Sequence, residues 1–151
     1  MKGTQRSKQR SSERAHLGPS RRTELVKRIL DARPGAESKA IASPRTVVPS
    51  VLIYKIMGKM FAILSVRGDE YVILKCDPHL AHVLREQYAG IGHRSHLDKR
   101  HWICVSLDAD VPPKEVRRLV EHSYGLISSG LTRKQQAQLA ALSSFRKDRK
   151  H

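Results

Sequence analysis

The chain has only two cysteines, half as many acids as cations, and no apolar run long enough to cross a bilayer. Each shortage excludes something. Cys76 and Cys104 cannot build a disulfide framework, and no secretory segment precedes them, so both are expected as reduced thiols in a cytoplasmic protein. A spanning helix needs about 20 consecutive apolar residues; none is present and no membrane partner is expected. Also missing are a glycine-rich phosphate loop, a Ser-His-Asp order and a spaced pair of carboxylates. These gaps point away from an enzyme and leave no cofactor or small-molecule substrate to name.

The shortage of acids is the strongest global signal. Fourteen Asp and Glu face 29 Lys and Arg, for a net charge of +15, and such a balance suits a polyanionic partner. The charge is uneven. Residues 1–22 carry +6, residues 143–151 carry +3, and the 120 residues between them carry the other +6. Residues 1–22 are almost devoid of apolar side chains and are expected to be a disordered basic arm. Residues 23–142 are expected to form one domain, followed by a basic C-terminal tail over 143–151.

Within the domain, apolar periodicity marks the elements. Thr23 reads as the N-cap of a short helix carrying Leu25, Val26, Ile29 and Leu30, ended by Arg33-Pro34-Gly35. Residues 36–50 contain Pro44 and Pro49 and no clear pattern, and are read as a loop. Val51–Met57 and Met60–Val66 form a hairpin turning at Gly58-Lys59, and Arg67–Glu70 turns the chain into a third strand, Tyr71–Lys75. Asp77 caps the next helix with Pro78 at its first position, and Leu80, Val83, Leu84 and Gln87/Tyr88 share its buried face. A polar loop over residues 93–100 leads to the strand His101–Leu107. Pro112-Pro113 opens a long helix with Val116, Leu119, Val120 and Ile127 on its apolar stripe. Thr132 then caps a short helix over Gln135–Leu142. This order fits an α+β two-layer sandwich, an antiparallel sheet with helices on one face.

The chemistry concentrates in one basic, aromatic stretch. His93, His96, His101 and Cys104 offer metal ligands, but their spacing matches no paired finger. His101 and Cys104 also project to opposite faces of a strand, so no metal is expected. Cys76 near a helix N-terminus has a feature that lowers a thiol pKa, yet Lys75 and Asp77 beside it pull in opposite directions. Lys55 and Lys59 flank the first hairpin, Lys75 ends the third strand, and Arg94, Lys99 and Arg100 crowd the loop before the fourth. Trp102, the chain's single tryptophan, and Tyr54 offer rings for stacking. Trp102 shares a strand face with Cys104, which favours a packing role for it in support of the loop.

At Lys99-Arg100-His101-Trp102 the chain resembles the MmcQ/YjbR family of small bacterial proteins. The matching pieces are Gly58–Ala62, Leu74–Pro78, His96–Ile103 and Ser123–Ile127, in order, within about residues 50–131. Met57 stands where the family has the first of two paired glycines, and Ser95 where it has an aromatic. The resemblance implies a fold like that of CyaY, the bacterial frataxin. It also implies a double-wing DNA-binding role and no settled catalytic activity. Frataxin iron binding is not carried over, because the acids here are scattered. The expectation is a non-enzymatic module that contacts DNA phosphates through Lys59, Arg94, Lys99 and Arg100, with Lys55 and Lys75 in support. The alternative is a protein- or ligand-interaction domain whose tails bind nucleic acid incidentally.

Overall fold

The computed structural model describes residues 20–42, 49–94 and 96–149. In chain order they form α1 (Arg21–Asp31), β1 (Glu37–Ala42), β2 (Pro49–Ile56), β3 (Lys59–Ser65), β4 (Tyr71–Lys75), α2 (Pro78–Gln87), β5 (Ile91–Gly92), β6 (Trp102–Ser106), α3 (Pro113–Ser129) and α4 (Arg133–Arg149). The strands make one six-stranded sheet in the order β1-β2-β3-β4-β6-β5, and every pairing is antiparallel.

The period-2 alternation of the strands divides the sheet into two unlike faces. On one face Tyr54, Ala62, Leu74 and Ile103 are successive cross-strand partners, and all four are buried. Leu64, Val72 and Val105 form the next row of the same face. Against these rows pack Val26 and Leu30 of α1, Leu84 of α2, Leu119 and Val120 of α3, and Leu139 of α4, in one core. Burying each large side chain contributes roughly 1.5–3 kcal/mol, and a one-residue slip would turn every strand inside out, so the register is strongly specified. The fold is therefore the expected α+β sandwich with helices on one face.

Several local expectations are corrected. Ser20, not Thr23, caps α1, its Oγ accepting the Thr23 amide at 3.4 Å. Arg21 and Arg22, expected at the end of a disordered arm, form the first turn of that helix; residues 1–19 lie outside the described residues. Thr23 is buried, and its hydroxyl donates to Glu70 Oε1 at 3.2 Å, so its polarity serves a tertiary contact instead of a cap. Part of the expected loop over 36–50 is strand β1, paired with β2 along its length; residues 43–48 lie outside the described residues. Every residue of β1 is exposed, so it has no apolar face to announce it.

The hairpin turns on Met57-Gly58, one residue earlier than expected, with φ of +48° and +81°, and Lys59 already belongs to β3. Positive φ at both central residues matches the twist of the flanking strands, and Met57 takes a conformation that glycine adopts more cheaply. The β2–β3 register shifts between Tyr54 and Lys55, so Phe61 and Ala62, adjacent in sequence, both enter the core.

Asp77 caps α2 as expected, Oδ2 accepting the amides of His79 and Leu80. Val83, expected on the buried face, is 52% exposed, and Ala81 takes its place beside Leu84. Thr132 and Gln135 exchange side-chain and backbone hydrogen bonds at 3.1 Å, a capping box that starts α4. No glycine or proline interrupts residues 133–149, and the helix runs to Arg149 where a short helix and a tail were expected.

Candidate nucleic-acid interface

Among the described residues no helix packs on the second face of the sheet, although Ile73 and Cys104 on it are buried. Its middle row is Ile53, Ile63, Ile73 and Cys104, partners across β2, β3, β4 and β6. The neighbouring row, toward the β2–β3 turn, holds Lys55, Met60, Lys75 and Trp102; Lys55 pairs with Met60, and Lys75 with Trp102. Alternation puts these four side chains on the open face, because Tyr54, Leu74 and Ile103 beside them point into the core. Lys55 is exposed, and Met60, Lys75 and Trp102 are half-buried.

Lys99 and Arg100 reach the same end of the sheet through a tight turn built by Asp98. The Asp98 carboxylate accepts the Arg100 amide at 2.9 Å and the His101 Nδ1–H at 2.6 Å. Its carbonyl accepts the amides of His101 and Trp102 at 3.1 and 3.0 Å. Those hydrogen bonds, first the Arg100 amide and then His101, hold the Asp98 carboxyl below the usual carboxylate range. The acid nearest the two cations is thus used by its own turn, and Lys99 and Arg100 stand exposed at the tip. The Cys76 amide donates to the His101 carbonyl at 2.7 Å, which fixes this tip beside the end of β4.

Five of the six expected contact residues therefore gather at one end of the sheet, and they divide by face. Lys55 and Lys75 lie on the open face, and Lys99 and Arg100 extend from the adjoining turn. Lys59 sits at the same end but on the helix side, where its ammonium donates to the Gly130 carbonyl at 3.3 Å. Arg94 does not join them. Its guanidinium reaches to the far end, 4.3 Å from the Tyr71 ring centroid and 3.2 Å from Asp69 Oδ2. An Arg tied to an acid and an aromatic is a poorer phosphate contact than its exposed loop position suggested.

Tyr54 is corrected as well. It is only 1% exposed, and its hydroxyl donates to Asp31 at 2.8 Å. Burial, reinforced by Asp31, pushes its ionisation far above the usual tyrosine range. It belongs to the core, edge-on to Phe61, and offers no ring to a ligand.

Arg85 of α2 is a site residue outside the apolar pattern of its helix. Its guanidinium donates to the carbonyls of Lys99 and Trp102, clamping the turn from below. Its Nε is buried without a partner among the described residues. No sequence signal marks a helix residue that reaches a loop fourteen positions away.

Both thiols are buried. Cys76 is buried, and burial first, then Asp77, pushes its pKa up to about 11 despite the helix terminus beside it. Burial raises Cys104 also. His93 donates to the Leu97 carbonyl at 2.7 Å and His101 is taken by Asp98, and among the described residues no group of three or more His, Cys, Asp or Glu gathers to hold a metal.

Comparison with known proteins then decides the kinship. The YjbR family model matches residues 32–126. The chain belongs to the YjbR family. Two Escherichia coli members are similar to it. YjbR of strain K12 is 33% identical over 94 residues, covering 62% of this chain and 75% of that one. YbdF of O157:H7 is 32% identical over 89 residues, 58% and 73% of the two chains. Both are described as uncharacterised. The crystal structure of a Deinococcus radiodurans protein of the DUF419 domain family superposes with a TM-score of 0.64 at 27% identity, covering 76% of this chain and 85% of that one. A Pseudomonas syringae protein, at 23% identity and a TM-score of 0.53, covers 66% and 96% and shares the fold. The YjbR match spans β1 through most of α3, and so includes every strand of the cationic sheet end.

Proposed function

We propose that this YjbR-family domain is a non-enzymatic nucleic-acid-binding module, with DNA as its partner, that holds the sugar–phosphate backbone at the cationic end of its sheet. One observation carries the reading: Lys55, Lys75, Lys99 and Arg100 converge there, and among the described residues none has a side-chain ion pair. Cations held close together outside ion pairs create a local potential that a phosphate chain relieves, with release of its condensed counterions. The turn bonds of Asp98 and the clamp of Arg85 fix two of the four in place before any ligand arrives, which lowers the entropic cost of contact. Lys59 adds charge from the helix side. Against catalysis stand two buried thiols, whose ionisation burial disfavours, and His93 and His101, engaged in structural hydrogen bonds.

The test is charge reversal at the turn. Lys99→Glu/Arg100→Glu in the full chain, with thermal unfolding as the check on folding, should lose at least about tenfold in affinity for a short duplex at low salt. Unchanged affinity in a folded variant overturns the reading. It would favour a protein- or ligand-interaction domain whose basic ends alone attract nucleic acid.

A further inference from the structure

The open face holds more than charge. Between its cations lie Ile53, Met60 and Trp102, all half-buried, with their remaining surface turned away from the helices. At the β1–β2 side, a groove of about 300 Å³ is lined by Glu37, Lys39, Ile41, Ile53, Lys55 and Gly58. Traced from this groove across the strands, apolar and cationic groups alternate, with one acid, Glu37, paired across the strands with Lys55. Lys39 and Lys55 border Ile53, Met60 and Lys75 follow, and then come Trp102 and the Lys99-Arg100 tip. The path crosses β1 to β6, four strand spacings of about 4.8 Å each, or about 19 Å.

We infer that this face takes single-stranded nucleic acid, with a base stacked on Trp102 and the backbone phosphates on Lys55, Lys75, Lys99 and Arg100. The inference rests on the phosphate-binding reading above and names the form of nucleic acid that suits it. Two physical arguments separate the forms. A duplex presents only sugars and phosphates to a flat surface, and a face about 19 Å across cannot enter a major groove about 12 Å wide. A duplex would therefore satisfy the cations and leave Trp102, Met60 and Ile53 unused. A single strand offers base faces and phosphates together, which is the mixed chemistry the face displays. Trp102 is the one aromatic available in this row, because Tyr54 is core and Tyr71 lies under Arg94 at the far end.

The sequence supplies the probe, since Trp102 is the chain's only tryptophan and its emission reports on this position alone. The full chain is titrated with a short oligo-dT and, separately, with a duplex of equal length. The single strand should quench Trp102 emission saturably and bind at least about tenfold more tightly than the duplex. Trp102→Leu, which keeps apolar bulk without the ring, should lose about tenfold in single-strand affinity and leave duplex affinity unchanged. Salt-dependent binding without quenching overturns this inference and leaves the phosphate-binding reading standing. Binding to neither form overturns both. If Trp102→Leu does not fold, the quenching of the unaltered protein decides alone.

Discussion

Arg85 reaches up from α2 to donate to the Trp102 carbonyl at 2.9 Å, and the same nitrogen also serves the Lys99 carbonyl. One guanidinium thus sets the turn that presents Lys99 and Arg100 and the strand entry that presents Trp102. Hydrogen bonds from a charged donor are worth roughly 1.5–3 kcal/mol, less where water competes. Arg85→Met should cost about 1 kcal/mol in urea unfolding. Amide exchange over residues 98–102 should speed up while the β3 and β4 amides keep their protection. Uniform loss of protection would mean that Arg85 supports the whole core and not this turn.

Ser123 is the second anchor of the site. It is fully buried, its hydroxyl donating to the Phe61 carbonyl at 2.6 Å and accepting the Lys75 amide at 2.9 Å. The hydroxyl satisfies two backbone groups where the β3 register slips, beside the strand end that carries Lys75. Ser123→Ala leaves both groups without partners in the interior and should cost about 3 kcal/mol. A loss under about 1 kcal/mol would show that water replaces the hydroxyl.

How much of this was written in the chain varies with the kind of interaction. The β2–β3–β4 meander, the Asp77-Pro78 cap and the α3 stripe depend on local pattern, and residues 51–75, 77–78 and 113–129 displayed it. β1 did not, because an edge strand exposed on both faces needs no apolar alternation. Thr23, Tyr54 and Arg94 were misplaced for a shared reason. Each looks suited to a local or surface role and is instead committed to an acid distant in sequence: Glu70, Asp31 or Asp69. The cations of the site were visible one by one. Their division between the two faces depends on the shift after Tyr54 and on the cross-strand register, which no single segment encodes.

Two glycines should respond in opposite directions. A Cβ would meet nothing within 4 Å at either Gly58 or Gly125. Gly58 has φ of +81°, where an L side chain is strained, so Gly58→Ala should destabilise by about 1 kcal/mol. Gly125 lies exposed in the interior of α3, where alanine is the better helix former, so Gly125→Ala should stabilise by about 0.8–1 kcal/mol. Thermal unfolding of the two variants beside the parent checks both signs. Destabilisation by Gly125→Ala would contradict the open space around it.

Acid should weaken the fold through two turn carboxylates. Asp110 accepts the Gly90 and Ala89 amides at 2.7 and 2.9 Å, and Asp98 accepts the Arg100 amide and His101. These bonds hold both carboxyls below the ordinary value of about 3.9. The unfolded chain binds these protons more readily, so the contribution is complete above the unfolded pKa and disappears as pH falls through the depressed folded values. Urea midpoints measured from about pH 5 to about pH 2 should fall more gently in Asp110→Ala than in the parent. Parallel curves would remove Asp110 from the acid response.

The most direct test of the phosphate-binding account is the salt dependence of nucleic-acid binding by the full chain beside a Lys55→Gln/Lys75→Gln/Lys99→Gln/Arg100→Gln variant. Each phosphate contact contributes about 0.9 to the slope of log affinity against log salt on a duplex and about 0.7 on a single strand. If the cationic sheet end makes the contacts, the slope should fall by about 3 to 4 on a duplex, or by about 3 on a single strand, with the fold intact. An unchanged slope would place the contacts elsewhere on the chain and contradict the account.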